Sequence, residues 1–267
     1  MGLRIRQASI FGTLAVTGLT LVVLMLLSIS LDAVAVTDRY IAVKNAEDKQ
    51  AKNLIKPISK QMLALFDEQL PMKQALTIIY GAEDGPLFDP DSSQILIPYE
   101  FVTEVYARFH HDNYQETGVS PEDATRDVLM HTLAHEYGHA YIFSNQVIVL
   151  GKEEDAVDTL ATLMLIHSFD NGADIALSAA DLFSLEDEDI KELDDDHFWD
   201  EHSLDAQRYF STLCLIYGSN PEKYGKVISK AQLEIERDSY CEEEYFRQTE
   251  NWDRLKERYS VLPSKVK

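Results

Sequence analysis

Residues 131–139 read HTLAHEYGH, and residues 153–158 read EEDAVD. His135 and His139 stand four positions apart, so on a helix their imidazoles project from one face and can share a tetrahedral cation. Glu136 lies between them, where its carboxylate can reach a water on that cation without taking a coordination position. The first stretch therefore predicts a helix that carries a Zn²⁺ site together with its general base.

The second stretch supplies a candidate third ligand. It opens a predicted helix from Glu153 to Phe169, and Glu154 and Asp158 share one edge of that helix. Two His and one Glu form a known catalytic zinc set, which leaves the fourth position for water. Asp158 is expected to accept the N–H of a ligand imidazole and so to fix the tautomer of that ring. Glu153 competes with Glu154 for the metal, and Glu154 is preferred because it alone has an Asp one helical turn further on.

Residues near the H-E-x-x-H motif argue against a metzincin site and against a further histidine ligand. The metzincin pattern H-E-x-x-H-x-x-G-x-x-H is absent, because Ile142 and Asn145 stand in place of its glycine and third histidine. His131 lies one turn before His135 and is interpreted as a histidine of the helix face rather than as a ligand. The alternative for the whole motif is a set of surface residues that form polar pairs along a helix.

The hydrophobic pattern predicts mainly helices beside a small sheet. The site helix should run over 121–143, with Ser120 as its N-cap. Residues 76–80 and 94–100 predict strands, and Pro98 places the second strand at an edge of the sheet or ends it there. The expected fold class is α+β, mainly α, with an active-site helix, a second ligand helix and a small sheet edge.

The remaining segments are mostly predicted as helices, over 36–70, 101–110, 200–217 and within about the last forty residues. The acidic run within 181–201 is interpreted as a solvated face or loop. Gly218 is expected to end the helix predicted over 200–217. Gly138 lowers helix preference by about 1 kcal/mol relative to Ala, which is easier to explain where another backbone must approach closely.

Length and charge limit the function classes. The 267 residues contain no Pro/Gly/Ser-rich linker, so a single domain over 36–267 is expected. The net charge of −22 repels nucleic acid and anionic lipid, so neither is expected as a partner. We interpret the acidic surface as one that keeps an exported protein soluble. Selection of a cationic substrate is the alternative.

Residues 1–35 form an expected export element. Two arginines precede an apolar run over about 10–29, whose length is close to that of a membrane span. The length favours an uncleaved anchor over residues 10–31, whereas the A-x-A signature at 33–35 favours a signal peptide that is removed. Both alternatives place the acidic bulk in the periplasm or outside the cell, by the positive-inside rule.

The cysteine count agrees with export. Cys214 and Cys241 are the two cysteines of the chain, and in an oxidising compartment they can form a disulfide. Zinc ligation by these thiols is the alternative, which is weakened by the absence of a C-x-x-C spacing.

The motifs of this chain resemble those of two known families. H-E-x-x-H followed by E-x-x-x-D on the next helix resembles the gluzincins of the thermolysin class, with a shorter connection between the helices. A family of bacterial metallopeptidases of undefined function is more closely similar, through HEYGH at 135–139, GKEEDA at 151–156, DEHSLDAQR at 200–208, and Cys241 with Tyr245. This resemblance covers most of the chain after residue 50 and implies a zincin-like fold with peptidase activity.

The third of these motifs contains two further candidates, His202 and Arg208. In a gluzincin-type cleft, a His or Arg from a later helix donates to the oxyanion of the tetrahedral intermediate. His202 stands at a predicted helix entrance and is our candidate for that role, with a packing role as the alternative. Arg208 is interpreted as part of a structural salt bridge with a neighbouring acid.

The resulting hypothesis is an exported zinc peptidase that acts on peptide or protein substrates. His135, His139 and Glu154 are expected to hold Zn²⁺, which activates a water. Glu136 takes the proton of that water and returns it to the leaving amine, while His202 stabilises the oxyanion. The alternatives are an exported scaffold stabilised by its metal and another zinc amide hydrolase.

Overall fold

The computed structural model describes residues 36–230 and 236–259. In this part of the chain, helices predominate beside one four-stranded sheet, so the α+β, mainly α fold class is confirmed. The elements in chain order are β1 Thr37–Tyr40, α1 Ala46–Gln69, β2 Thr77–Tyr80, β3 Leu87–Asp89, β4 Gln94–Ile97, α2 Tyr99–His111, α3 Pro121–Asn145, α4 Glu153–Ser168, α5 Gly172–Asp187, α6 Asp195–Trp199, α7 Asp205–Ser219, α8 Pro221–Lys230 and α9 Glu236–Tyr259.

The predicted export element, residues 1–35, lies outside the described residues. The choice between a cleaved signal and an anchor therefore stays a prediction, as does the single domain over 36–267. Of the helices within the described ranges, none is long and apolar enough to span a bilayer.

The sheet differs from expectation in which strand lies at its edge. Its order is β1-β2-β4-β3, with β3 antiparallel to β4 and the other neighbours parallel. The edge position predicted for the 94–100 strand is therefore wrong, and the other alternative, that Pro98 ends it, is right. Pro98 follows the last residue of β4 and is the N-cap of α2. The edge strands are β1 and β3, and the three residues of β3 are too few to show a readable alternation.

The first strand replaces the beginning of the helix predicted over 36–70. Thr37–Tyr40 pairs in parallel with Thr77–Tyr80, and α1 begins only after Asn45, whose side chain accepts from the N–H of Asp48 (2.7 Å). The local pattern did not predict this strand, because its hydrogen-bonding partner lies far along the chain.

The central helix is α3, which packs against α1, α2, α4 and α5. Its N-terminus forms as predicted, with the Ser120 hydroxyl accepting from the N–H of Asp123. On its apolar face, the ring of Tyr137 stacks on that of Phe66 with centroids 3.9 Å apart, and the Tyr137 hydroxyl donates to the carbonyl of Leu70. These contacts hold α3 from one side and leave its polar face for the site.

The acidic segment is more ordered than expected. Its first part belongs to α5, which buries Leu182 and Phe183, and the later acids lie in turns and in the short helix α6. Of the two predicted alternatives, a solvated face holds up to Asp187, where the exposed Glu186 lies on a helix whose apolar residues pack against the core. The loop alternative is wrong for these residues.

The helix predicted over 200–217 begins later than expected. Residues 200–204 form a loop, and α7 starts at Asp205. The carbonyls of Asp200 and His202 accept from the ammonium of Lys152 (3.0 and 2.7 Å) rather than from a helical N–H. A side chain from α4's N-cap position therefore sets the conformation of this loop.

A disulfide joins α7 to α9. Cys214 and Cys241 are bonded, as predicted, and both are buried. Gly218 lies within α7, which ends one residue later at Ser219, so it does not end the helix as predicted. A Cβ at this position would lie 2.3 Å from the carbonyl oxygen of Cys241. The glycine thus lets the two helices approach closely where the disulfide links them.

Reducing this disulfide should destabilise the protein. On the chain-entropy model, a closed loop of this length contributes about 3 kcal/mol to the free energy of unfolding, so the urea midpoint should fall by about 1 M. Urea unfolding should be measured on chelator-treated protein with and without reductant. The Cys214→Ala/Cys241→Ala variant should match reduced wild type and not respond to reductant. Equal midpoints for the oxidised and reduced wild type would contradict the prediction.

Candidate metal centre

Helices α3 and α4 bring the three sequence-predicted ligands together. The Nε2 atoms of His135 and His139 lie 3.3 Å apart. The Oε2 atom of Glu154 lies 3.1 Å from the first nitrogen and 3.3 Å from the second. These side chains are largely buried, and all three donor atoms point at one small volume.

The donor atoms fit a small divalent cation. Ligand atoms at about 2.0–2.1 Å from a tetrahedral metal lie about 3.3–3.4 Å from each other, which is close to the separations seen here. Glu154 Oε2 is buried and makes no well-oriented hydrogen bond within the described residues, although imidazole nitrogens surround it. A buried carboxylate oxygen without a hydrogen bond is costly unless a cation compensates its charge. Imidazole and carboxylate donors suit a first-row transition metal.

His202 also reaches this centre. Its Nε2 atom lies 3.0 Å from Glu154 Oε2, and its ring stacks on that of His135 with centroids 6.3 Å apart. His202, His135 and Glu154 present potential ligand atoms that all lie within 4.8 Å of one another. The centre therefore offers two overlapping ligand sets, which share His135 and Glu154 and differ in whether His139 or His202 completes them.

Asp158 lies where the sequence placed it, next to a ligand imidazole. A carboxylate only accepts, so the Nδ1–H of His135 donates to Asp158 Oδ1 (2.7 Å), which leaves Nε2 free to face the centre. Arg208 donates to the same carboxylate from Nε and Nη2 (2.8 and 3.1 Å). Burial would raise the pKa of Asp158, but the hydrogen bonds from His135 and Arg208 hold it well below its ordinary value.

Glu153 and Glu154 take different positions. Glu154 faces the Nε2 atoms, whereas Glu153 Oε1 accepts from the Nδ1–H of His139 (2.8 Å). Each histidine of the H-E-x-x-H motif thus has a carboxylate on its Nδ1 side, Asp158 for one and Glu153 for the other. Sequence reasoning considered Glu153 only as a rival ligand, because adjacent residues on a helix do not reveal which atom each will face.

Glu136 and His131 occupy contrasting surroundings. Glu136 is 6 % exposed and lines the main cavity beside His135 and His139. Burial raises the pKa of its carboxyl, and the nearby imidazoles oppose that shift. His131 is buried, its ring lies edge-on to Phe183, and burial lowers its pKa to about 4. His131 is therefore a neutral packing residue.

The main cavity has a volume of ≈ 590 Å³ and lies between the metal centre and the sheet edge. Leu87 and Phe88 of β3 form one wall, and Phe143 of α3 lies beside them. The opposite rim carries Lys152 and Glu201. Lys152 was not singled out from the sequence, because its partners are backbone carbonyls about fifty residues away.

Gly138 explains how the two ligand helices come so close. A Cβ at this position would lie 2.9 Å from Val157 Cγ1 and 3.1 Å from Val157 Cβ, which are side-chain atoms of α4. The glycine that weakens helix preference in the motif therefore permits the approach that carries Glu154 to the histidines.

Comparison with known proteins identifies one related family. The family model described as "Putative metallopeptidase" (DUF4344) matches residues 40–256. The matched span contains the H-E-x-x-H helix, Glu154, His202 and both cysteines. Neither the curated proteins nor the solved structures contain a match to this chain.

Replacing Gly138 should disturb both stability and metal binding. In Gly138→Ala, the added methyl group pushes α4 away, and overpacking of this kind costs about 1–3 kcal/mol, more than the gain in helix preference. We expect a lower thermal midpoint of the metal-free protein and a weaker affinity for Zn²⁺, measured by calorimetry and by competition with a chromogenic chelator.

Gly225→Ala is the matched control, because a Cβ at that position of α8 would meet no atom of the described residues within 4 Å. This variant should be neutral or more stable, with unchanged metal affinity. If Gly138→Ala were as stable as Gly225→Ala, close approach of α3 and α4 would not depend on the glycine.

Proposed function

The chain belongs to the "Putative metallopeptidase" family DUF4344, and on that premise we propose that it is a zinc peptidase. The observation that carries the proposal is the convergence of two imidazole nitrogens and the Glu154 carboxylate at 3.1–3.3 Å, with the Glu136 carboxyl beside them in an open cavity. Donors at this spacing suit Zn²⁺, and a neighbouring carboxylate that does not bind the metal suits a general base.

His135, His139 and Glu154 hold the zinc in this proposal, with Asp158 and Glu153 orienting the two imidazoles. Zinc bound there supplies Lewis-acid polarisation of a water and of the substrate carbonyl. Glu136 accepts the proton of the attacking water on its carboxylate and delivers it to the nitrogen of the leaving amine. Its place between the two histidines, and at the wall of the cavity, supports this role.

His202 is our candidate for stabilising the oxyanion. Its Nε2 atom faces the centre from the loop before α7, and the Lys152 ammonium restrains that loop through two carbonyls. A hydrogen-bond donor aimed at the developing negative charge is worth about 3 kcal/mol in comparable sites.

A second candidate function follows from the same residue. If His202 is a fourth protein ligand, the metal has a closed coordination sphere, as in structural zinc sites. The protein would then be the exported, metal-stabilised scaffold that the sequence left as an alternative. The 3.0 Å distance from His202 Nε2 to Glu154 Oε2 is the observation that favours it.

The substrate in this proposal is a peptide or protein segment in extended conformation. Among the described residues, β3 pairs with β4 on one side and with no strand on the other, and its residues line the cavity next to the metal centre. An extended peptide can add to this edge by main-chain hydrogen bonds. The strand that receives the substrate is thus β3 and not the 94–100 strand.

We also propose that the protein works outside the cytoplasm, attached to the membrane only through its N-terminal segment if at all. The disulfide between Cys214 and Cys241 supports an oxidising compartment. The net charge of −22 makes nucleic acid an unsuitable partner.

The first test concerns Glu136. In Glu136→Gln, hydrolysis of a quenched fluorescent peptide library should fall by at least about a hundredfold, because general-base catalysis is removed. Zinc content, measured by atomic emission on the full-length protein, should stay at wild-type level. Glu104→Gln removes an exposed carboxylate of α2 that does not line the main cavity, and this control should keep full activity. Equal hydrolysis by wild type and Glu136→Gln would disprove the mechanism.

The second test separates the two roles of His202. As an oxyanion donor, His202→Ala should retain zinc affinity and lose about 10²–10³-fold in kcat. If His202 is instead a ligand, His202→Ala should lose zinc affinity to the same degree as His139→Ala and Glu154→Ala. In that case, chelation of the metal should also unfold the wild-type protein. Measuring zinc affinity and kcat for all three variants distinguishes the peptidase from the scaffold.

A further inference from the structure

A second cavity opens beside the metal centre. It has a volume of ≈ 180 Å³ and shares Pro86, His135, Glu136 and His202 with the main cavity. A group bound in it therefore lies next to the general base and the bond to be cleaved. The volume suits one amino-acid side chain.

The walls of this cavity combine apolar side chains with polar ones, and Arg208 is among the polar residues that line it. The apolar side chains include one from α2, one from α3 and three from α5, namely Phe101, Val128, Ala179, Leu182 and Phe183. These side chains can cover the methylene groups of a long side chain.

Glu186 adds a carboxylate to these walls. Glu186 is exposed to solvent as well as to the cavity, and within the described residues its side chain has no hydrogen bond or ion pair. Desolvation by the surrounding protein raises its pKa to about 7. A carboxylate in such surroundings is stabilised when a cation joins it.

The guanidinium groups near Glu186 have closer partners. Arg208 forms a bidentate pair with Asp158 and lies 3.8 Å from Asp205. Arg108 pairs with Asp112 at 2.6 Å and also with Asp189. Both arginines still attract the Glu186 carboxylate, but this attraction does not overcome the desolvation that raises its pKa. Because each arginine is paired with other acids, the Glu186 carboxylate is available to a ligand.

We infer that this cavity binds the side chain of a lysine or arginine of the peptide substrate. The methylene groups pack against the apolar walls, and the cationic end meets the Glu186 carboxylate. This inference rests on the proposed peptidase function. The net charge of −22 also attracts basic peptides to the protein, which agrees with this inference.

The test measures binding rather than hydrolysis. The probes are two peptides, acetyl-Ala-Ala-Lys-Ala-Ala-amide and its norleucine counterpart, which keeps the stem of lysine and lacks the ammonium group. Their blocked termini exclude recognition of a free amine at the N-terminus. Calorimetric titrations use full-length, zinc-loaded Glu136→Gln, which does not turn the peptides over, in about 0.15 M salt to screen long-range attraction.

We expect the lysine peptide to bind at least about tenfold more tightly than the norleucine peptide. Adding Glu186→Gln should bring this ratio close to 1. Adding Glu188→Gln is the matched control, because this exposed carboxylate lies two positions away and does not line the cavity; the ratio should persist. Equal affinities for the two peptides, or a ratio unaffected by Glu186→Gln, would overturn the inference.

Hydrolysis by wild type separates this result from the proposed function. If wild type cleaves peptides and shows no Glu186-dependent preference, the cavity assignment alone fails. If it cleaves none while the binding preference depends on Glu186, the cavity assignment stands and the peptidase proposal fails.

Discussion

The convergence of histidine nitrogens on the Glu154 carboxylate is the constraint on which the rest of this structure depends. Three polar donors that meet in a largely buried space are unfavourable without a cation, so the surrounding chain has to hold them there. The apolar face of α3 is fixed by the stacking of Tyr137 on Phe66. Gly138 lets α4 lie close enough for Glu154 to reach the histidines. The metal centre is therefore a product of helix packing as much as of its ligands.

Two carboxylates behind the histidine ligands fix the orientation of their imidazole rings. Asp158 and Glu153 each take the Nδ1–H of one histidine, which directs the Nε2 lone pair inward. Arg208 holds Asp158 by two hydrogen bonds and comes from α7, the helix that the disulfide ties to α9. The C-terminal helices thus support the orientation of a ligand on α3. Removing Arg208 would leave Asp158 with an unbalanced buried charge, so Arg208 positions Asp158, although its side chain also lines the smaller cavity.

The edge of β3 and the smaller cavity can each bind a different part of a peptide substrate. The free edge of β3 can hold the main chain of an extended peptide, and the smaller cavity can hold one of its side chains. Glu186 adds a carboxylate to walls that also carry Arg208, and both nearby arginines are paired with other acids. In our proposal, shape and charge together favour a basic residue beside the bond that is cleaved.

The order of residues in the chain was enough to predict α3 with its Ser120 cap, the joint position of His135, His139 and Glu154 on two neighbouring helices, and the Cys214–Cys241 disulfide. Each of these follows from short-range spacing or from a count of residue types, which are properties of the linear chain. Four features did not follow from the order of residues: strand β1, the edge position of β3, the separate contacts of Glu153 and Glu154, and the hydrogen bonds from Lys152 to the His202 loop. Their partners are backbone groups or side chains brought near by folding, and hydrogen bonds between distant segments leave no periodic trace in a sequence. Glu186 lies on a solvated helix face, as the sequence allowed, but its place at the wall of a cavity follows only from the packing of α5.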